Sequence, residues 1–177
     1  MEIGTLKIWL NGKIVSEEEA KISVLDSSIQ HGIGIFETMY GRQTEVFRLD
    51  EHLDLLEYSS KNLNLATTIR KDLISNALDE LLVSANLAES RIKLTISGGT
   101  INRLKDLKNK GSSPTIIIEC QPATKYPEKF FTDGISVAIS RWRENPDLPT
   151  AGHKSIDYWS RIRALQEASL INAGESI

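Results

Sequence analysis

The chain has 177 residues and a mass of 19.8 kDa, enough to bury about 70% of the surface its unfolded form exposes, so no disulfide or metal staple is needed. Hydrophobic residues make up 40% and charged residues 25%, a balance that excludes wholesale disorder. With 21 Lys and Arg against 24 Asp and Glu the net charge is −3, too even to point to nucleic acid or an anionic membrane as an obligatory partner.

Near the start, Leu6, Ile8 and Leu10 alternate with Lys7 and Trp9, which predicts a strand. Asn11-Gly12 then supplies a tight hairpin turn, with Ile14 and Val15 on the return strand. A second hairpin is predicted from Gly34 to Arg48, turning at Gly41-Arg42-Gln43-Thr44. Asp50 is the expected N-cap of a helix with Leu53, Leu56 and Leu63 in its apolar stripe and Leu49 just before the cap. Leu55 falls about 120° from the centre of that stripe and so faces something else.

A longer helix is predicted from about Ile69 to Leu87, with Leu73, Ile74, Ala77, Leu78, Leu81 and Ala85 on one face. Strands follow at Arg91 to Ser97 and Thr115 to Gln121, the latter carrying Cys120 as a small buried hydrophobe. As Cys120 is the single cysteine, no internal disulfide can form. Gly98-Gly99-Thr100 and Lys105 to Ser113 read as a polar, mobile loop between these strands.

Pro122 and Pro127 bound a linker, after which a new unit begins. Asp133-Gly134 is a turn, Ile135, Val137 and Ile139 alternate as a strand, and Glu144 to Gly152 form a loop with two prolines. The last helix is expected from Asp157, with Tyr158, Ile162, Leu165 and Ser169 on one face and Gly174 as its stop. Residues 1–11 lack the pattern of a secretion signal, and no apolar run approaches the ~18 residues of a membrane span. A cytoplasmic location is expected.

Phosphate-loop, dinucleotide, nucleophile-elbow and C-x-x-C motifs are all absent from the sequence. His31, His52 and His153 are dispersed and lack metal-ligand spacing, so no metal is expected. His153-Lys154-Ser155 is more suggestive, because it lies between a proline-bearing loop and the last helix. A lysine there can reach a cleft, where burial would favour the neutral amine as nucleophile or base. A solvated lysine is the competing reading.

Five blocks, taken in order, resemble the class IV, fold-type IV aminotransferases that use pyridoxal 5'-phosphate. These are Ile8 to Gly12, Ala20 to Asp26, His31 to Thr38, Phe47 to Leu53, and Lys154-Ser155-Ile156-Asp157-Tyr158. The family includes branched-chain and D-amino-acid aminotransferases and aminodeoxychorismate lyase. The resemblance implies an α/β (α+β) chain: a small N-terminal α/β domain over 1–121, a linker over 122–133, and over 134–177 the start of a larger cofactor-binding pseudo-barrel domain. It implies that Lys154 is the catalytic lysine that carries the cofactor as a Schiff base, and that Tyr158 lies near the cofactor ring. Phe36 and Tyr40 are implied to line the substrate pocket, although core or sheet packing would equally account for Tyr158, Phe36 and Tyr40. The implied substrates are an amino acid, branched-chain-like, and a 2-oxo acid, acted on by a homodimer.

Departures from the family pattern keep two further readings open. Leu55 stands where the family places a phosphate-gripping arginine, Gly98 where an arginine often follows the strand, and Ile33 where aspartate is frequent. The residues that hold the phosphate and pair with the pyridine nitrogen lie, in the family, beyond the position of Ile177, which reads as a C-terminal truncation. A degenerate, non-catalytic member or an inactive fragment is therefore one alternative. An aminodeoxychorismate lyase is the other, because Phe36-Glu37-Thr38 lacks the Gly-Ile-Arg continuation typical of the branched-chain enzymes.

Overall fold

The computed structural model describes residues 6–65, 69–100 and 113–177, so most of the predicted loop after Thr100 lies outside the described residues. The chain divides into two compact units, Met1–Ala123 with His153–Ile156, and Thr124–Gly152 with Asp157–Ile177. The sequence placed 153–156 in the second region, whereas the structure groups this segment with the first.

The first unit is a six-stranded sheet backed by two helices. In chain order its elements are β1 (Lys7–Leu10), β2 (Lys13–Val15), α1 (Ser27–His31), β3 (Gly34–Arg42), β4 (Glu45–Val46), α2 (Leu49–Asn62), α3 (Lys71–Ala85), β5 (Glu89–Ser97) and β6 (Ile116–Pro122). The strand order is β2-β1-β6-β5-β3-β4, and every neighbouring pair is antiparallel. Alternation decides the faces. Ile35, Met39, Ile92, Leu94, Ile96, Ile118, Cys120 and Trp9 point to one side and pack with Leu53, Leu56, Ile74, Leu78, Leu81 and Leu82 of the helices. Each fully buried aliphatic side chain there is worth about 1.5–3 kcal/mol of transfer free energy.

Asn11 and Gly12 take positive φ of 48° and 108°, as the predicted two-residue hairpin turn requires. The predicted N-cap at Asp50 is displaced: α2 starts at Leu49 with Arg48 in the left-handed region at the cap, while Asp50 and Glu51 occupy the first turn, where their charge favours the helix dipole. α1 had no counterpart among the predicted elements, because five residues are too few to show a helical period. Its local signals are Asp26, whose carboxylate accepts from Ser28 N–H, and Gly32 at the C-cap with φ 67°.

The second unit holds α4 (Lys129–Thr132), β7 (Val137–Ala138), α5 (Trp159–Leu170) and β8 (Glu175–Ser176), with β7 and β8 paired in parallel. The expected apolar face of the last helix is only partly covered. Ala168 is buried, whereas Ile162 and Leu165 are exposed, since two short strands offer little surface to pack against. No helix among the described residues is long and apolar enough to cross a membrane.

Candidate functional site

The site is built on the edge of β3. β4 pairs only with Gly41 and Arg42, which leaves the opposite end of that edge for the 154–156 segment. Phe36 N–H donates to the Lys154 carbonyl at 2.9 Å, Ile156 N–H donates to the Gly34 carbonyl at 3.0 Å, and Ile35 pairs with Ser155 as an antiparallel bridge. Glycine at 34 makes room for this approach, because a Cβ there would sit 2.9 Å from Ile156 Cδ1 and 3.0 Å from the Ile96 carbonyl oxygen, so that both would have to shift. The backbone is thus held to β3 at the Lys154 carbonyl and on the C-terminal side of the residue.

The Lys154 side chain is exposed, so the desolvation considered from the sequence is absent from this unit. Its Nζ lies 6.0 Å from the centroid of the Phe36 ring, and Lys93 Nζ lies 5.6 Å from the same centroid. Phe36 belongs to the sheet face opposite the helices, and Lys93, paired in register with Thr38, shares that face. An aromatic wall between two cations suits a planar, anionic or carboxylate-bearing ligand.

A second line of contacts runs along α2. His52 Nδ1 and Oε2 of the buried Glu37 lie 2.9 Å apart, at hydrogen-bond distance. Two turns further on, Ser59 Oγ and His153 Nδ1 share a 2.9 Å hydrogen bond, with the Tyr58 and His153 ring centroids 5.8 Å apart. Leu55 lies on the same helical face between His52 and Ser59 and is 44% exposed, so it presents hydrocarbon where the family places a cation.

A third cluster joins the ends of the β5–β6 connection. The Asp26 carboxylate, 2% exposed, accepts from Ser28 N–H at 2.8 Å, Ser28 Oγ at 2.6 Å, Ser97 Oγ at 2.9 Å and Thr115 Oγ1 at 2.7 Å. Burial pushes this carboxyl up, but the bonds from Ser28, Thr115 and Ser97 together outweigh it and hold its pKa below the usual value. A Cβ on Gly98 would sit 2.8 Å from Ser27 Oγ, so packing as well as the loss of an arginine bears on glycine there.

Of the residues singled out from sequence, the structure brings Lys154 and Phe36 together. Tyr40 shares the sheet face of Phe36 but lies about 13 Å along the strand, and its phenol, bonded to Glu89, has a raised pKa. Tyr158 belongs to the second unit, at the N-cap of α5, with Arg161 5.3 Å from its ring centroid. Lys93, Glu37, Ser59 and the role of His153 escaped the sequence reading. A period of two puts Lys93 on a face, yet register with β3 cannot be read from one strand. Among the described residues no cluster could hold a metal ion.

The residues present fit one end of pyridoxal phosphate: Lys154 offers an exposed primary amine on a fixed backbone beside an aromatic ring. Leu55 offers its phosphate no donor.

Residues 34–177 match the family described as amino-transferase class IV. A protein of Methanocaldococcus jannaschii assigned as a branched-chain-amino-acid aminotransferase is 31% identical over 172 residues, covering 97% of this chain and 58% of that protein. The aminodeoxychorismate lyase of Bacillus subtilis is 35% identical over 94 residues, 52% of this chain and 32% of the lyase. Among solved structures, the branched-chain aminotransferase of Thermoproteus uzoniensis with norvaline superposes with a TM-score of 0.82 at 28% identity, covering 98% of this chain and 59% of that one. The mixed α/β architecture is that of fold-type IV aminotransferases over their N-terminal part, and the chain spans about three-fifths of the length of the first and third of these relatives.

Proposed function

We propose that this chain, which belongs to the amino-transferase class IV family, carries the reactive lysine and one wall of a pyridoxal-phosphate site for amino transfer between a branched-chain-like amino acid and a 2-oxo acid. The carrying observation is the bridge between Lys154–Ile156 and Gly34–Phe36, which holds an exposed amine against the Phe36 ring. Bound there, the cofactor supplies the electron sink that neutral side chains lack. Lys154 would hold the cofactor through its Nζ and, as a free amine, would carry the proton from the substrate Cα to the cofactor C4′. Phe36 excludes water from one side, and the Lys93 ammonium meets a substrate carboxylate. Tyr158 as a neighbour of the cofactor ring and a homodimeric assembly belong to the same proposal.

A lyase acting on aminodeoxychorismate is the second reading, favoured by the likeness to the Bacillus subtilis lyase and by Thr38 after Phe36-Glu37. Both readings need Lys154. The test is to add pyridoxal phosphate to the purified chain, record the visible band of lysine-bound cofactor, reduce with borohydride and map the labelled peptide. Labelling at Lys154, lost in Lys154→Ala, supports the proposal. Saturating cofactor that leaves Lys154 unlabelled in the native chain refutes it.

A further inference from the structure

We infer that His153 is a positioning residue for Lys154, acting as a side-chain latch to Ser59 that holds the lysine-bearing segment on α2 as well as on β3. The inference rests on the reading of Lys154 as the reactive lysine. Backbone bonds fix the segment on one side, through Phe36 N–H to Lys154 and Ile156 N–H to Gly34. Those bonds leave rotation about the strand edge unopposed, because one bridge pair defines a line and not a plane. The 2.9 Å bond from His153 Nδ1 to Ser59 Oγ, with Ser59 only 5% exposed, adds a third fixed point on a different element. Tyr58, one residue earlier on α2, covers the imidazole with its ring at 5.8 Å and a 38° tilt. The segment turns at Lys154, where Ser155 N–H donates to the His153 carbonyl at 3.0 Å, so with His153 seated on α2 the turn sets the direction of Lys154, whose Nζ is found at the Phe36 ring.

Three variants of the full chain test the latch. His153→Phe keeps a ring against Tyr58 and loses Nδ1. Ser59→Ala removes the partner at a helix position where alanine is well tolerated. His153→Asn places an amide at the position of Nδ1 and restores the bond. Two quantities are read: hydrogen exchange of the Phe36 and Ile156 amides, and the rate of borohydride-trapped pyridoxal phosphate at Lys154 divided by that at the exposed Lys13. One hydrogen bond of ordinary net strength corresponds to a change of about threefold to tenfold. His153→Phe and Ser59→Ala are expected to speed exchange at both amides and lower the trapping ratio by that factor, the double variant to do no more, and His153→Asn to return both towards the native values. General destabilisation would raise trapping at both lysines and would not be rescued by asparagine. Native exchange and trapping ratio in either His153→Phe or Ser59→Ala overturns the latch, as does a failure of His153→Asn to rescue. If the native chain traps no cofactor on Lys154, the reading of that lysine fails and amide exchange alone decides the latch.

Discussion

Replacing Asp26 by alanine removes an acceptor that four donors share, two from Ser28 and one each from Ser97 and Thr115. Bonds to a charged acceptor contribute about 1.5–3 kcal/mol each, but the losses are not additive and water can reach some of the abandoned donors. A loss of about 3–5 kcal/mol is therefore expected, equivalent to a fall in Tm on the order of 10 °C for a chain of this size. Asp26→Asn should lose clearly less, since its amide oxygen still accepts from Ser28 and its NH2 can donate to the two hydroxyls. The pH dependence has a definite sign. Because the folded carboxyl titrates below its unfolded value of about 3.9, its contribution is complete above that value and is lost as pH falls through the lower folded value. The gap in Tm between native chain and Asp26→Ala, followed by circular dichroism, should hold steady from about pH 7 to 5 and narrow below about pH 4. A variant that melts within about 2 °C of the native chain at pH 7, or a gap that widens on acidification, refutes the reasoning.

Two further predictions concern the face of α2. Leu55→Arg should tighten pyridoxal phosphate binding at least about tenfold, the effect of one charge-assisted contact to a phosphate oxygen, and at a site already 44% exposed it should cost little stability; equal affinity in a fluorescence titration would show that this face does not reach the phosphate. His52→Ala should destabilise by about 2–3 kcal/mol because it strands the buried Glu37 carboxylate, whereas Glu37→Gln keeps a partner for the ring and should cost less. Urea denaturation ranks the two variants, and the reverse order would mean that the pair is not held together by its charge-assisted bond.

The elements legible in the sequence are those whose signal is local. Alternation at Ile8 to Leu10 and the wide apolar face of α3 reflect repeats of two and 3.6 residues, and the Asn11-Gly12 turn is a local signal of its own; Trp9 and α3 meet in the main core, whereas Ile8 and Leu10 join Val15 in a second cluster on the other face. Leu55 was set apart by the same periodicity, and it is indeed off the buried stripe. Where local signal was thin the reading slipped. α1 is too short for a period, the cap of α2 is set by the backbone of Arg48 rather than by the side chain of Asp50, and the stripe of α5 remains largely uncovered.

By itself the sequence determined the alternating strands, the two hairpins, the long helix, and an order of motifs that places the chain in its family. Tertiary structure alone decided the juxtapositions: Lys154 with Phe36 and Lys93, His153 with Ser59, Glu37 with His52, and Asp26 with Ser97 and Thr115. The reason is physical. Periodicity reports which side of an element avoids water, whereas register, edge occupancy and the partner of a buried polar group depend on residues distant in the chain, and only packing brings these together.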